Sequence, residues 1–251
     1  MTRLCRDADV VIHAAGLVKA RSRAEFDRVN VDGSANVATA AAHVPHVVLI
    51  SSLTAREPEV SHYGASKHAS EVAMARQLGE RLSVARPCAI YGPGDRELLG
   101  IFQAADTLPF LPILSATGRV AMIHVEDAAR QIVALSGTPP SGKTFALSDA
   151  RVDGYSWREL MEGAALACDR RTRLVAIPSM VIRAIGITND FTKLLGATPM
   201  LSSAKTRELL HPNWAIAPDV GWTSEAVPKY DLKTGFAQTV AWYRAAALMK
   251  Q

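Results

Sequence analysis

The chain has 251 residues, 49% of them apolar and 21% charged, a balance that supports a packed core and excludes a disordered polymer. Its 28 basic and 24 acidic residues leave a formal charge of +4, too small and too scattered to mark a nucleic-acid surface. No apolar run reaches the roughly 18 to 20 residues that span a bilayer. The first residues carry no signal-peptide pattern, and Cys5, Cys88 and Cys168 are too far apart for a disulfide or zinc framework. The cysteines read as buried small apolar residues, and the cytoplasm is the expected compartment.

In chain order, Asp9 to His13 reads as a strand, continuous in β-branched residues as one covered on both faces should be. A helix follows from about Ala24 to His43, then a strand from Val47 to Ile50, a helix from about Tyr63 to Arg81 and a strand from Leu82 to Ala85. Pro45 and Pro87 punctuate these units. Short strands alternating with crossover-length helices predict an α/β fold with a parallel sheet, its strand ends and any ligand on one edge. Near Tyr91-Gly92-Pro93-Gly94 the composition shifts towards a more variable part. There Met122 to Ile123 and Thr144 to Leu147 read as strands, Val125 to Ser136 as a helix, and Ser156 to Cys168 as a helix capped by Ser156 with Glu159. An amphipathic helix from about Leu232 to Met249 closes the pattern. Ile177 to Leu195 is strongly apolar. It reads as a substrate-pocket or lid helix rather than a membrane-surface one, because its basic residues are only Arg183 and Lys193.

Tyr63-Gly-Ala-Ser-Lys67 carries the first chemical signal. Residues four apart on a helix share a face, so the Lys67 ammonium stands one turn from the Tyr63 phenol. A free phenol titrates near about pH 10. A neighbouring cation stabilises the phenolate and makes the group a usable acid and base for alcohol/ketone interconversion. Gly137 to Thr144 matches a phosphate-loop pattern letter for letter. Its context is wrong, since a helix precedes it, a strand follows it, and tandem prolines remove amide donors. The seven histidines make no metal spacing, and His13 and His124 read as packing and loop-fixing residues.

Several blocks in order resemble the extended short-chain dehydrogenase/reductases, the NAD-dependent epimerase/dehydratase family. They are Asp9-Val-Val-Ile-His-Ala-Ala-Gly16, Asn30 to Val37, Ser51-Ser52, Tyr63 to Lys67, Arg86 to Asp95 and Ile123 to Ala129. The resemblance implies a partial doubly wound (Rossmann-like) parallel sheet with a smaller, mostly helical C-terminal substrate region. Residues 1–150 would be an incomplete NAD(P)-binding domain with interleaved substrate segments, and 151–251 mainly substrate-binding. It implies hydride transfer at a hydroxyl or keto carbon, with NAD or NADP as cofactor. Tyr63 would be the acid/base. Lys67 would lower its pKa and hold the nicotinamide ribose. Ala14, Ala15 and Gly16 would pass close to the cofactor, Asn30 would sit in the turn of the following helix, Ser51 at the strand end, and Pro87 and Ile90 beside the nicotinamide.

Two departures stand out. Where many relatives carry a carbonyl-polarising hydroxyl this chain has Leu53, so Ser52 is the candidate donor. The family's opening glycine-rich turn has no counterpart here, so about 60 residues carrying three strands are expected to be missing, with β-edge groups left open. The residue that chooses NAD or NADP would lie in that portion. The expected partners are a small-molecule substrate, either a sugar nucleotide or a partly hydrophobic alcohol or ketone, and a second copy in a homodimer, with no nucleic acid and no membrane span. The competing class is a non-catalytic or truncated member acting as a binding or assembly module.

Overall fold

The structure is a computed structural model and describes residues 2–194, 203–216 and 226–250. They divide into two units. Unit 1 holds residues 2–88, 128–147 and 226–227, and unit 2 holds 89–127, 148–194, 203–216 and 228–250. In chain order the strands are β1 (Val10–His13), β2 (His46–Ile50), β3 (Leu82–Pro87), β4 (Ala89–Tyr91), β5 (Phe110–Ile113) and β6 (Arg119–Val120). They continue with β7 (Met122–His124), β8 (Thr144–Leu147), β9 (Tyr155–Ser156), β10 (Arg173–Ala176) and β11 (Asn213–Trp214). The helices are α1 (Thr2–Cys5), α2 (Arg23–Phe26), α3 (Gly33–Ala40), α4 (His62–Leu78) and α5 (Leu99–Thr107), then α6 (Val125–Ser136), α7 (Trp157–Ala167), α8 (Ser179–Leu194), α9 (Ser203–Leu210) and α10 (Leu232–Ala245). Leu195, the expected end of the apolar helix, lies outside the described residues.

Unit 1 is built on a parallel sheet in the order β1-β2-β3-β8. β2 is flanked on both sides and its His46 to Leu49 are all buried, which is why its sequence runs apolar without alternation. Ala38 and Ala41, together with Met74 and Leu78 of α4, join Val47, Leu49, Leu82 and Val84 in one core, and the alanines let the helical backbone approach the sheet. The helix expected from Ala24 is continuous from α2 to α3, but Asp27–Asp32 between them winds as a π-helical turn. α4 ends at Gly79, whose φ of +56° is a conformation glycine adopts without a Cβ penalty. β1 pairs with β2 on one side only among the described residues, and its Ile12 is 43% exposed. The phosphate-loop look-alike joins α6 to β8, helix before strand, and the Gly142 amide already donates to Glu80 O at 3.1 Å.

Unit 2 carries shorter pairings: β4 with β7, β5 with β10, and β6 between β11 and β9. Its core is aromatic. Tyr91 and Phe236 meet edge to face at 5.1 Å, as do Phe102 and Phe236 at 5.0 Å, and Tyr243 of α10 lies tilted against Phe102 at 5.6 Å. α7 opens on the expected capping box, Ser156 accepting from the Glu159 amide and Glu159 reaching back to the Ser156 amide. Asp127, buried, accepts from the backbone amides of Lys229 and Tyr230, and so ties a turn of α6 to the approach to α10. His124 is fully buried and stacks on Tyr230 at 3.8 Å, the packing role its sequence position predicts. All three cysteines are free and buried, and burial pushes the Cys168 thiol up to about 11.

Candidate active site

The expected site residues other than Ile90 belong to unit 1, where His13, Ile50 and Pro87 mark the carboxyl ends of three adjacent parallel strands. Ile90 lies in β4 of unit 2 and is exposed. Ala14, Ala15 and Gly16 leave the end of β1 as an extended, exposed strip without bulky side chains. Asn30, buried in the π turn, fastens this strip. Its Oδ1 accepts from the Leu17 amide at 2.7 Å, and its Nδ2 donates to Leu17 O at 3.0 Å and to Ser66 Oγ at 2.9 Å. Ser66 in turn donates to the carbonyl of Tyr63. One amide side chain thus couples the loop after β1 to the first turn of α4. Such π turns recur at functional sites because they re-aim one side chain.

α4 starts with Ser61 accepting from the Gly64 amide at 3.0 Å. Tyr63 is half-buried, its ring 6.1 Å from that of Phe26. Lys67, one turn on, is only 6% exposed, and its Nζ donates to Ile50 O at 2.6 Å at the end of β2. Burial lowers its pKa from 10.5 to about 8, against the opposing pull of the Glu71 carboxylate. His13 is also buried, bonded through Nε2 to Ser34 Oγ at 3.0 Å. Its pKa is lowered by desolvation and then by the Lys67 charge, so it stands neutral beside the lysine.

Ser51 is buried and donates its hydroxyl to Glu71, which also takes a two-pronged bond from Arg86, Nε to Oε1 at 2.9 Å and Nη2 to Oε2 at 2.6 Å. Ser51 and Arg86 therefore act through Glu71, a residue the sequence reading passed over. The signal was present: Glu71 stands four residues beyond Lys67 on the face that carries Tyr63. Leu53, the departure from the family pattern, turns its side chain into the core at 6% exposure. Ser52 is half-buried and accepts from Thr54 Oγ1 at 2.8 Å and from the Thr54 amide at 3.3 Å, which leaves its own hydroxyl proton to donate.

Gly64 holds the two sides of this site together. A Cβ there would lie 2.7 Å from the carbonyl oxygen of Thr54, closer than packed atoms tolerate. Gly64→Ala is expected to push α4 off the Ser52–Thr54 turn, lowering the thermal midpoint by several degrees and catalysis by at least tenfold. Melting curves and initial rates on the same preparation check this.

The residues fit a dinucleotide. A Cβ on Gly16 would come within 3.1 Å of Asn30 Oδ1, a tight approach, and 3.8 Å of Lys67 Nζ, so Gly16 lies against both side chains with little space to spare. Small residues there would let a ribose or phosphate approach the chain, and the Lys67 ammonium carries donors of the kind that ribose hydroxyls accept. The sequence profile of the NAD dependent epimerase/dehydratase family matches residues 1–147.

The chain belongs to that family.

It is 48% identical over 249 residues to a ceramide reductase of Caulobacter vibrioides, covering 98% of this chain and 77% of that protein. Among solved structures it resembles the UDP-glucuronic acid 4-epimerase of Bacillus cereus in complex with NAD, with a TM-score of 0.69 and 13% identity over 98% of this chain and 77% of that one. It also resembles RMD from Pseudomonas aeruginosa complexed with NADPH, with a TM-score of 0.64 and 17% identity over 94% of this chain and 81% of that one. At these identities the two structures establish the Rossmann-type fold. As an epimerase/dehydratase family member the chain is an NAD(P)-dependent oxidoreductase or epimerase, and its cofactor is NAD or NADP. Among the described residues no helix is long and apolar enough to cross a membrane, and no three His, Cys, Asp or Glu gather as metal ligands.

Proposed function

We propose that this family member reduces the ketone of a ceramide-class lipid to an alcohol in unit 1, with Tyr63 giving the proton. The observation that carries the reading is Lys67, a buried ammonium anchored on Ile50 O one helical turn from Tyr63 at the carboxyl ends of the parallel strands. The 48% identity to a protein named for ceramide reduction favours a lipid over a sugar nucleotide. Bound nicotinamide supplies the hydride that the carbonyl carbon receives. Tyr63 Oη delivers a proton to the carbonyl oxygen as charge builds there, and Ser52 donates a hydrogen bond to the same oxygen. Lys67 holds the ribose and keeps the phenol acidic. Ala14, Ala15, Gly16, Asn30, Ser51 and Pro87 complete the cofactor-binding set of unit 1, Asn30 and Ser51 by fixing the elements around them. The three free, buried thiols suit a reducing compartment, which favours the cytoplasm.

The test follows NADH and NADPH oxidation with the keto form of a short-chain ceramide in mixed micelles, and in parallel follows UDP-glucose with NAD by chromatography of its epimer, an isomerisation that consumes no nicotinamide. Nicotinamide consumed only with the keto lipid, with a product two hydrogens heavier, is the expected result. Turnover of UDP-glucose alone would replace the lipid by a sugar nucleotide. Cofactor binding without any turnover would leave a binding module.

A further inference from the structure

α8 presents an unusual surface within unit 2. Its inner stripe, Ile182 and Gly186, is buried, and Gly186 faces α9 so closely that a Cβ there would lie 2.5 Å from Thr206 Oγ1. The remaining faces should then be polar, as on an ordinary surface helix. They are not. Met180 is 80% exposed and Ile187 56%, and Val181, Ala184 and Ile185 are exposed with them. From Met180 to Thr188 this exposed face is apolar apart from Arg183 and Thr188 and calls for cover, and among the described residues α9 is the element packed on the helix.

The chain that feeds α8 extends this surface. β10 pairs in parallel with β5, Arg173 opposite Phe110 and Val175 opposite Pro112. Side chains alternate across a strand, so Leu111 is buried in the core with Leu174 packed on it, while Phe110, Arg173 and Val175 stand exposed on the other face. The Ile177 amide donates to Ile113 O at 3.1 Å, which carries the ribbon directly into the first turn of α8.

Charge selects the occupant. Between residue 169 and the end of α8 at residue 194 there are five basic residues, Arg170, Arg171, Arg173, Arg183 and Lys193, against two acids, Asp169 and Asp190. Arg170 pairs with Asp106 at 3.3 Å, whereas Arg171, Arg173 and Arg183 are exposed and make no ion pair among the described residues. Arg173 of the strand before α8 and Arg171 just ahead of that strand thus add to the Arg183 that the helix itself carries. Exposed Met, Ile, Val and Phe side chains among unpaired guanidiniums suit an interface with apolar depth below and negative charge at its surface, where arginine stems lie along the acyl region and their heads reach phosphate.

We infer that α8, with the β5–β10 ribbon leading into it, docks this unit onto the surface of a bilayer containing anionic lipids. The inference stands independently of the substrate, and its test needs none. The full-length chain is sedimented with sucrose-loaded vesicles of phosphatidylcholine alone, and of phosphatidylcholine with a quarter phosphatidylglycerol. Binding to the anionic vesicles that weakens with added salt is expected. A Val181→Asp/Ile185→Asp variant and an Arg171→Glu/Arg173→Glu variant should each lower partitioning at least tenfold, with melting temperature and NADH binding unchanged because these side chains are exposed. Failure to sediment with either vesicle would overturn the inference, as would variants that bind like the parent chain. A parent chain that ignores vesicles but is a dimer split by Val181→Asp/Ile185→Asp would overturn it in favour of a second copy as the cover.

Discussion

Tyr63→Phe is expected to lower kcat for carbonyl reduction by about 10³-fold while leaving the dissociation constant for NADH or NADPH within about twofold. The ring remains, so its packing on Phe26 and the Ser66 bond to the residue 63 carbonyl survive, and α4 keeps its cap at Ser61. Only the phenolic hydroxyl is lost. The carbonyl oxygen then has no proton source at the moment charge builds on it, and general acid catalysis contributes about 10² to 10⁴ in comparable sites. Ser52 still donates to that oxygen, so residual turnover above background should remain. Rapid-mixing measurement of the hydride step, with cofactor affinity from fluorescence titration, separates chemistry from binding. Turnover equal to that of the parent chain would remove Tyr63 from the mechanism.

Lys67→Met is expected to be at least as damaging, and to alter the pH profile as well as the rate. The ammonium titrates at about 8, so its support for the Tyr63 phenol fades as pH rises through that value. Reduction by the parent chain should therefore lose rate on the alkaline side with an apparent pKa near 8, and the variant should lack that limb. Stability moves in the opposite direction. The unfolded lysine binds its proton up to 10.5 and the folded one only to about 8, so between these values the unfolded chain holds more protons, and rising pH favours the folded state. Relative to Lys67→Met, the parent chain without cofactor should gain stability between pH 8 and 10.5 while its activity falls. Parallel melting and rate curves check both signs. His13 and Glu71 also face this lysine, and Glu71→Gln, by removing the carboxylate that opposes burial, should move the alkaline limb to lower pH.

Much of the fold was legible from residue order where each feature is local. Val125–Ser136 is a helix over the predicted span, and Ser156 with Glu159 forms the capping box of α7, since these features depend on spacing of three or four residues. Tyr63 and Lys67 share a helix face for the same reason. The π turn at Asp27–Asp32 was not legible, because it answers to the tertiary bonds Asn30 makes with Leu17 and Ser66 rather than to any local preference. The place of Ser51 at a strand end was legible; the bond its hydroxyl gives to Glu71 was not, because it depends on how the end of β2 lies against α4. β5 escaped notice because Pro112 stands inside it, a residue that argues against a strand, and β10 because its only neighbour among the described residues is β5. The apolar stretch of α8 was visible together with its Arg183, but Arg171 and Arg173 lie outside the helix that periodicity marks out.

Phe236 and Tyr243 of α10 close an aromatic cluster begun by Tyr91 and Phe102 more than a hundred residues earlier, and Asp127 waits across a comparable stretch for the amides of Lys229 and Tyr230. Contacts so remote along the chain form late, since a large loop must close before they are rewarded. On the ribosome, unit 2 thus has a half-finished interior, with the sides of Tyr91 and Phe102 that meet Phe236 open until α10 emerges from the exit tunnel. During that interval a nascent chain is a natural client for chaperones and for proteases.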